Sequence, residues 1–132
     1  MSNRFVILHH QLDDGEHWDL MLEHADTLLT WQLSREPVSR ACLPISARRI
    51  DDHRKAYLDY EGPISGSRGV VRRVDAGAVK IESLSPGRCR FVLSGGRLKG
   101  RLELASSPGQ WTLTALPLES KEGRNTGSNG VS

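Results

Sequence analysis

Long apolar runs are absent from this chain, and their absence sets the first bounds. The earliest, Phe5-Val6-Ile7-Leu8, ends after four residues. A membrane-crossing helix needs about 20 apolar residues, and a secretory h-region at least about 7. Neither an export segment nor a membrane span is therefore expected, and the protein reads as cytoplasmic. Cysteine is scarce too: Cys42 and Cys89 are the two in 132 residues, with no CxxC spacing. They read as free thiols. Nowhere do apolar residues recur at i, i+3 and i+4 over three turns, so amphipathic helices are not expected. Gly66-Ser67-Arg68-Gly69 lacks the P-loop pattern, and no serine occupies a Gly-x-Ser-x-Gly elbow. P-loop and serine-nucleophile chemistry thus have no support.

What the chain does have is alternation. In His17-Trp18-Asp19-Leu20-Met21-Leu22-Glu23, a strand sends Trp18, Leu20 and Leu22 to the core. His17, Asp19, Met21 and Glu23 then share the other face. Phe5 to Leu8 reads as a strand running into His9-His10, joined to residues 17–23 by the turn Asp13-Asp14-Gly15. Thr27 to Leu33 is the next strand, and residues 34–46, with Pro37 and Pro44, read as a surface loop. Ala47 to Asp52 suggests a short strand with Ile50 inward. Val70 to Val74 and Ala78 to Ser83 suggest a hairpin across Asp75-Ala76-Gly77. Arg90 to Ser94 with Arg97 to Ala105, and then Gln110 to Leu116, complete the set.

About eight short, mostly antiparallel strands favour an all-β barrel or sandwich. The barrel is the expected architecture, because closure removes edges and leaves a concave groove for polar groups. Residues 1–118 read as this single domain. Residues 119–132, rich in Gly, Ser, Asn and charge, read as a disordered tail.

The net charge of +2 conceals an asymmetry. Residues 1–46 carry seven acids against three arginines, whereas residues 47–101 carry 13 basic residues against six acids. An acidic, His-bearing first third beside a basic middle suits a metal site next to a phosphate-binding surface. Solubility and edge protection of a β protein account for the same charges equally well. His17 and Asp19 share a strand face, and the hairpin brings His9 or His10 alongside. Two imidazoles and a carboxylate without thiolates suit manganese, iron or zinc. Further on, Arg48-Arg49, His53 and Tyr57 offer groups for phosphate oxygens or for protonating a leaving alkoxide. By itself this second stretch fits a packed ring and a solvated histidine better. The three tryptophans, Trp18, Trp31 and Trp111, lie on alternating strands and read as core.

Taken in order, these stretches resemble the 3′-phosphoesterase domain of bacterial DNA ligase D. The likeness runs through Phe5-Val6-Ile7 to His10, then His17 to Glu23, Leu29-Thr30-Trp31, Pro37, Asp52-His53 and Tyr57 to Gly62. It continues through Gly95 to Gly100 and closes at Trp111, spanning roughly residues 5–115. The resemblance implies a compact β-barrel hydrolase of DNA repair with a manganese site. It would trim 3′-terminal ribonucleotides and remove 3′-phosphates from DNA or RNA ends. It implies His10, His17 and Asp19 as metal ligands, with His9 as a substitute for His10. His53 and Tyr57 would contact the scissile phosphate, and a separate ligase or polymerase would be a partner.

Two departures stand out. The family's arginine two residues after the aspartate is Met21 here, and a thioether is no bidentate clamp for phosphate. The family's glycine- and tyrosine-bearing loop is shortened to Gly66-Ser67-Arg68-Gly69, where Arg68 is the candidate replacement cation. The alternatives are a nucleic-acid-end binding module with weak or no turnover, and a cupin-like iron oxygenase using His17, Asp19 and His53.

Overall fold

Both faces of the first strand are apolar, and the fold follows from covering each of them. Phe5 and Ile7 point one way and Val6 and Leu8 the other, and all four are buried. In the computed structural model, which describes residues 3–117, Phe5 and Ile7 join the interior of a barrel. Val6 and Leu8 join a smaller cluster outside it with Met21, Leu28, Leu58 and Val71.

The strands are β1 (Asn3–Leu12), β2 (Gly15–His24), β3 (Thr27–Leu33), β4 (Ile45–His53), β5 (Gly62–Pro63), β6 (Val70–Ser85), β7 (Arg88–Gly95), β8 (Lys99–Ser107) and β9 (Gln110–Ala115). Their order is β1-β2-β3-β4-β9-β8-β7-β6-β5, and β6 also pairs with β1. Eight strands therefore close into an antiparallel ring, and the two-residue β5 is laid against the start of β6. Closure satisfies strand edges that an open sheet leaves unpaired. Trp31, Phe91 and leucines from β2, β3, β7, β8 and β9 fill the interior. Trp18 and Trp111 pack against it half-buried, in line with the core reading of the tryptophans.

Both thiols are free. Burial in the apolar interior pushes the Cys89 thiol up to about 11. Among the described residues no helix is long and apolar enough to cross a membrane.

Three local expectations are corrected. Asp75-Ala76-Gly77 is no turn, because β6 runs unbroken for 16 residues from Val70 to Ser85. Its first part pairs with β1 and its last part with β7. Gly77 is required by close approach rather than by a turn, since a Cβ there would lie 2.1 Å from the Ser94 carbonyl oxygen. The Asp75 side chain, buried, gathers backbone N–H groups from the 96–98 turn instead: Gly96 at 2.8 Å, Arg97 at 3.2 Å and Leu98 at 2.9 Å. Second, Ile50 is not the inward residue of β4. It lies opposite Thr30 on the outer face, and Ile45 enters the core. Third, the 34–46 loop ends at Pro44, because Ile45 already pairs with Leu113. Residues 119–132, expected as a tail, lie outside the described residues.

A buried carboxylate that accepts several backbone donors leaves them all unsatisfied when it is removed, at roughly 1–3 kcal/mol for each group. Asp75→Ala should therefore lower unfolding stability by about 3 kcal/mol or more in urea titration. A loss under about 1 kcal/mol would show that water replaces the carboxylate and that the turn is held otherwise.

Candidate metal centre on the outer face

The outer face is laid out by register. His10 stands opposite His17 across β1 and β2, and Leu8 stands opposite Asp19. Asp19 in turn faces Gln32 on β3, which faces Arg48 on β4. Strand alternation thus sets a polar strip beside the outer apolar cluster. His10, His17 and Asp19 offer ligand-type atoms that all lie within 4.8 Å of one another. Asp19 is buried and the two histidines are half-buried.

Hydrogen bonds orient the three groups. His10 Nε2 lies 2.7 Å from the Arg68 carbonyl oxygen. A carbonyl only accepts, so Nε2 donates to it, and Nδ1 is turned toward Asp19 Oδ2 at 3.7 Å. A histidine anchored through one nitrogen, with the other turned inward, is the usual arrangement of a metal ligand. His17 Nδ1 lies 2.8 Å from Asp19 Oδ1. On its far side, Gln32 Nε2 approaches His17 Nε2 at 3.5 Å, and Arg48 donates to Gln32 Oε1 at 2.9 Å. Two imidazoles and one carboxylate with no thiolate fit a divalent cation such as manganese, iron or zinc.

His9 takes no part in this group. It lies on the opposite face of β1, with Nε2 2.7 Å from Glu16 and its ring 5.1 Å from that of Trp18.

Comparison with known proteins identifies the family. Residues 8–106 match the DNA ligase D 3′-phosphoesterase domain. The chain belongs to that family. It is also 32% identical over 96 residues to the multifunctional non-homologous end joining protein LigD of Pseudomonas aeruginosa. That alignment covers 67% of this chain and 11% of LigD, so the chain spans about a tenth of that relative's length.

The remaining residues expected to act with the phosphoesterase-type site stand apart from the trio. His53 faces Leu28 on β3, whereas Asp19 faces Gln32. Four residues along a strand amount to roughly 13 Å. The His53 and Tyr57 rings meet edge to face at 5.4 Å, and Tyr57 packs against the outer cluster. His53 is thus no member of the ligand group, which removes the expectation of the oxygenase reading. Arg68 reaches the site through its carbonyl. Its guanidinium folds onto Ser65, with Nε 2.7 Å from the Ser65 carbonyl oxygen. It does not occupy the place of the family's arginine.

Met21 and Thr30 are paired between the two halves of the site, and Met21 is 1% exposed. This position belongs to an apolar floor rather than to a polar wall. The short 3₁₀ turn that carries Tyr57, Lys55–Leu58, covers the floor through Leu58. Glu23 ties that turn to β2: Oε2 is 3.1 Å from Lys55 Nζ, and Oε1 accepts the Arg4 amide at 2.8 Å. That amide, with Lys55, holds the Glu23 carboxyl below the usual carboxylate range.

Sequence reading missed Gln32 and the Arg68 carbonyl. Gln32 was detectable as the polar outer residue of an alternating strand, but a backbone carbonyl leaves no mark in a sequence.

The burial of Met21 has a measurable consequence. A guanidinium placed among Val6, Leu8, Leu28 and Leu58 must be desolvated or must push the 3₁₀ turn aside. Met21→Arg should destabilise the protein by about 2 kcal/mol or more in urea titration. Unchanged stability would mean that the floor has room for the family's cation.

Proposed function

We propose that this chain is a metal-dependent 3′-phosphoesterase that processes nucleic-acid 3′ ends during DNA repair. The observation that carries the reading is the His10–His17–Asp19 group, oriented by hydrogen bonds on the outer face of a barrel of this family. Manganese suits its nitrogen and oxygen donors. A bound divalent cation supplies positive charge against the phosphate oxygens, which otherwise repel a nucleophile. The residues themselves position the substrate. The phosphate lies at the rim of the covered Met21–Thr30 floor, with the trio on one side and His53 and Tyr57 on the other. His53 and Tyr57 present an imidazole and a phenol to the oxygens that gain charge as the ester breaks. Arg48 and its basic neighbours hold the backbone with little sequence preference. The LigD relative is multifunctional by name, and a separate ligase or polymerase in the cytoplasm would complete the repair here.

The burial of Met21 favours one second reading: a module that binds 3′ ends and turns them over weakly or not at all. A primer ending in a 3′-phosphate or a single ribonucleotide, incubated with manganese, separates the two. The esterase reading expects a 3′-hydroxyl product that requires the cation, with His17→Ala slower by about 100-fold or more. Salt-sensitive end binding without product, across several divalent metals and with folding intact, would establish the module instead. A His17→Ala variant that processed ends normally would overturn the assignment of the site.

A further inference from the structure

Beyond Tyr57 the outer face continues into a pocket that the chemistry above does not use. Its volume is about 230 Å³, and its walls are Tyr57, Tyr60, Pro63 and Ile64, with Arg54 and Ser65 among the lining residues. Sites that enclose a drug-sized ligand are usually larger, about 300–1,000 Å³. This one matches a single planar ring system.

From these walls we infer that the pocket receives the base of the 3′-terminal nucleotide whose phosphate lies beside His53 and Tyr57. The inference rests on the proposed function above, in that a nucleic-acid 3′ end is the ligand. Three observations carry it. The Tyr57 and Tyr60 rings stand 6.0 Å apart at 84°, so together they form an aromatic corner. A base stacked on either ring meets the other edge-on, an arrangement that aromatic pairs favour.

The corner is also fixed in place. The Tyr60 hydroxyl donates to the Pro63 carbonyl, and Tyr57 and Ile64 are packed onto the outer cluster. A surface ordered in advance loses little entropy when a base stacks on it.

The third observation is continuity with the surface that carries His53 and with the loop that anchors His10. Tyr57 touches His53 on one side and lines the pocket on the other. The loop that supplies Ile64 and Ser65 closes on itself, with the Ile64 amide donating to the Gly69 carbonyl at 2.8 Å. The same loop supplies the Arg68 carbonyl that anchors His10. One short segment therefore sets both the base-side wall and a candidate metal ligand. Arg54 adds a cation at the pocket, and among the described residues its guanidinium has no hydrogen-bonding or ion-pair partner. Every base offers a π face, so the pocket discriminates base from no base, with little preference among the four.

The test uses two oligonucleotides with a 3′-phosphate, one ending in a normal nucleotide and one in an abasic residue. Their binding to the full chain is measured by fluorescence anisotropy with and without manganese, and product is analysed in parallel. The wild type should bind the base-bearing end about tenfold or more tightly. Tyr60→Ala should abolish that difference and leave binding of the abasic end unchanged, whereas Tyr60→Trp should keep it. Equal affinity of the wild type for both ends overturns the pocket. So does failure to bind either end, or a Tyr60→Ala that weakens both alike while Tyr60→Trp rescues neither. The two readings separate cleanly. Product without base preference refutes the pocket and leaves the esterase standing. Base preference that depends on Tyr60, without product, supports the pocket and refutes the esterase.

Discussion

The pairing register of β1 with β2 is the constraint on which the candidate site depends. His10 opposite His17, with Asp19 opposite Leu8, gives the ligand-type trio its spacing. Because side chains alternate with a period of two, a slip by one residue would carry the trio to the other face. The slip is prevented from both sides of the sheet. Phe5, Ile7, Leu20 and Leu22 are committed to the barrel interior, while Val6, Leu8 and Met21 are committed to the outer cluster. A strand pair with one wet face would be pinned once, and this pair is pinned twice. The polar groups occupy the end where apolar cover stops.

Much of this was legible in the sequence. The clean alternation in β2 and β3, and the turn residues between strands, revealed an all-β barrel and the face on which His17 and Asp19 lie. The Asp75 region was misread because Asp-Ala-Gly is a turn signal only when the aspartate serves its own turn. Here its carboxylate serves a turn some twenty residues later, a long-range contact that local chemistry does not reveal. Ile50 was misplaced because the parity of β4 is set by Ile45, which pairs with Leu113 and enters the core, so Ile50, five residues on, faces outward opposite Thr30. Likewise, alternation put Met21 on the outer face but did not show that this face has a cover of its own.

That cover changes how the site is understood. The family carries an arginine where this chain has Met21. The structure shows the position built into packing with Leu58 and Val71, rather than left as an open place for a lost cation. His53 and Tyr57 are held on the far side of this floor by the 3₁₀ turn and by the tie from Glu23 to Lys55. The surface between the trio and His53 therefore offers shape and hydrogen-bond donors at its margins, with the guanidinium of Arg68 turned away toward Ser65.

His10, His17 and Asp19 are proposed to hold one metal ion, with His53 outside its ligand set. Electron spin echo spectroscopy of the manganese-loaded protein reads this directly, because each coordinated imidazole nitrogen modulates the signal. Two such nitrogens are expected in the wild type and in His53→Ala, and one in His10→Ala. Absence of nitrogen coupling in the wild type, or its reduction in His53→Ala, would contradict it.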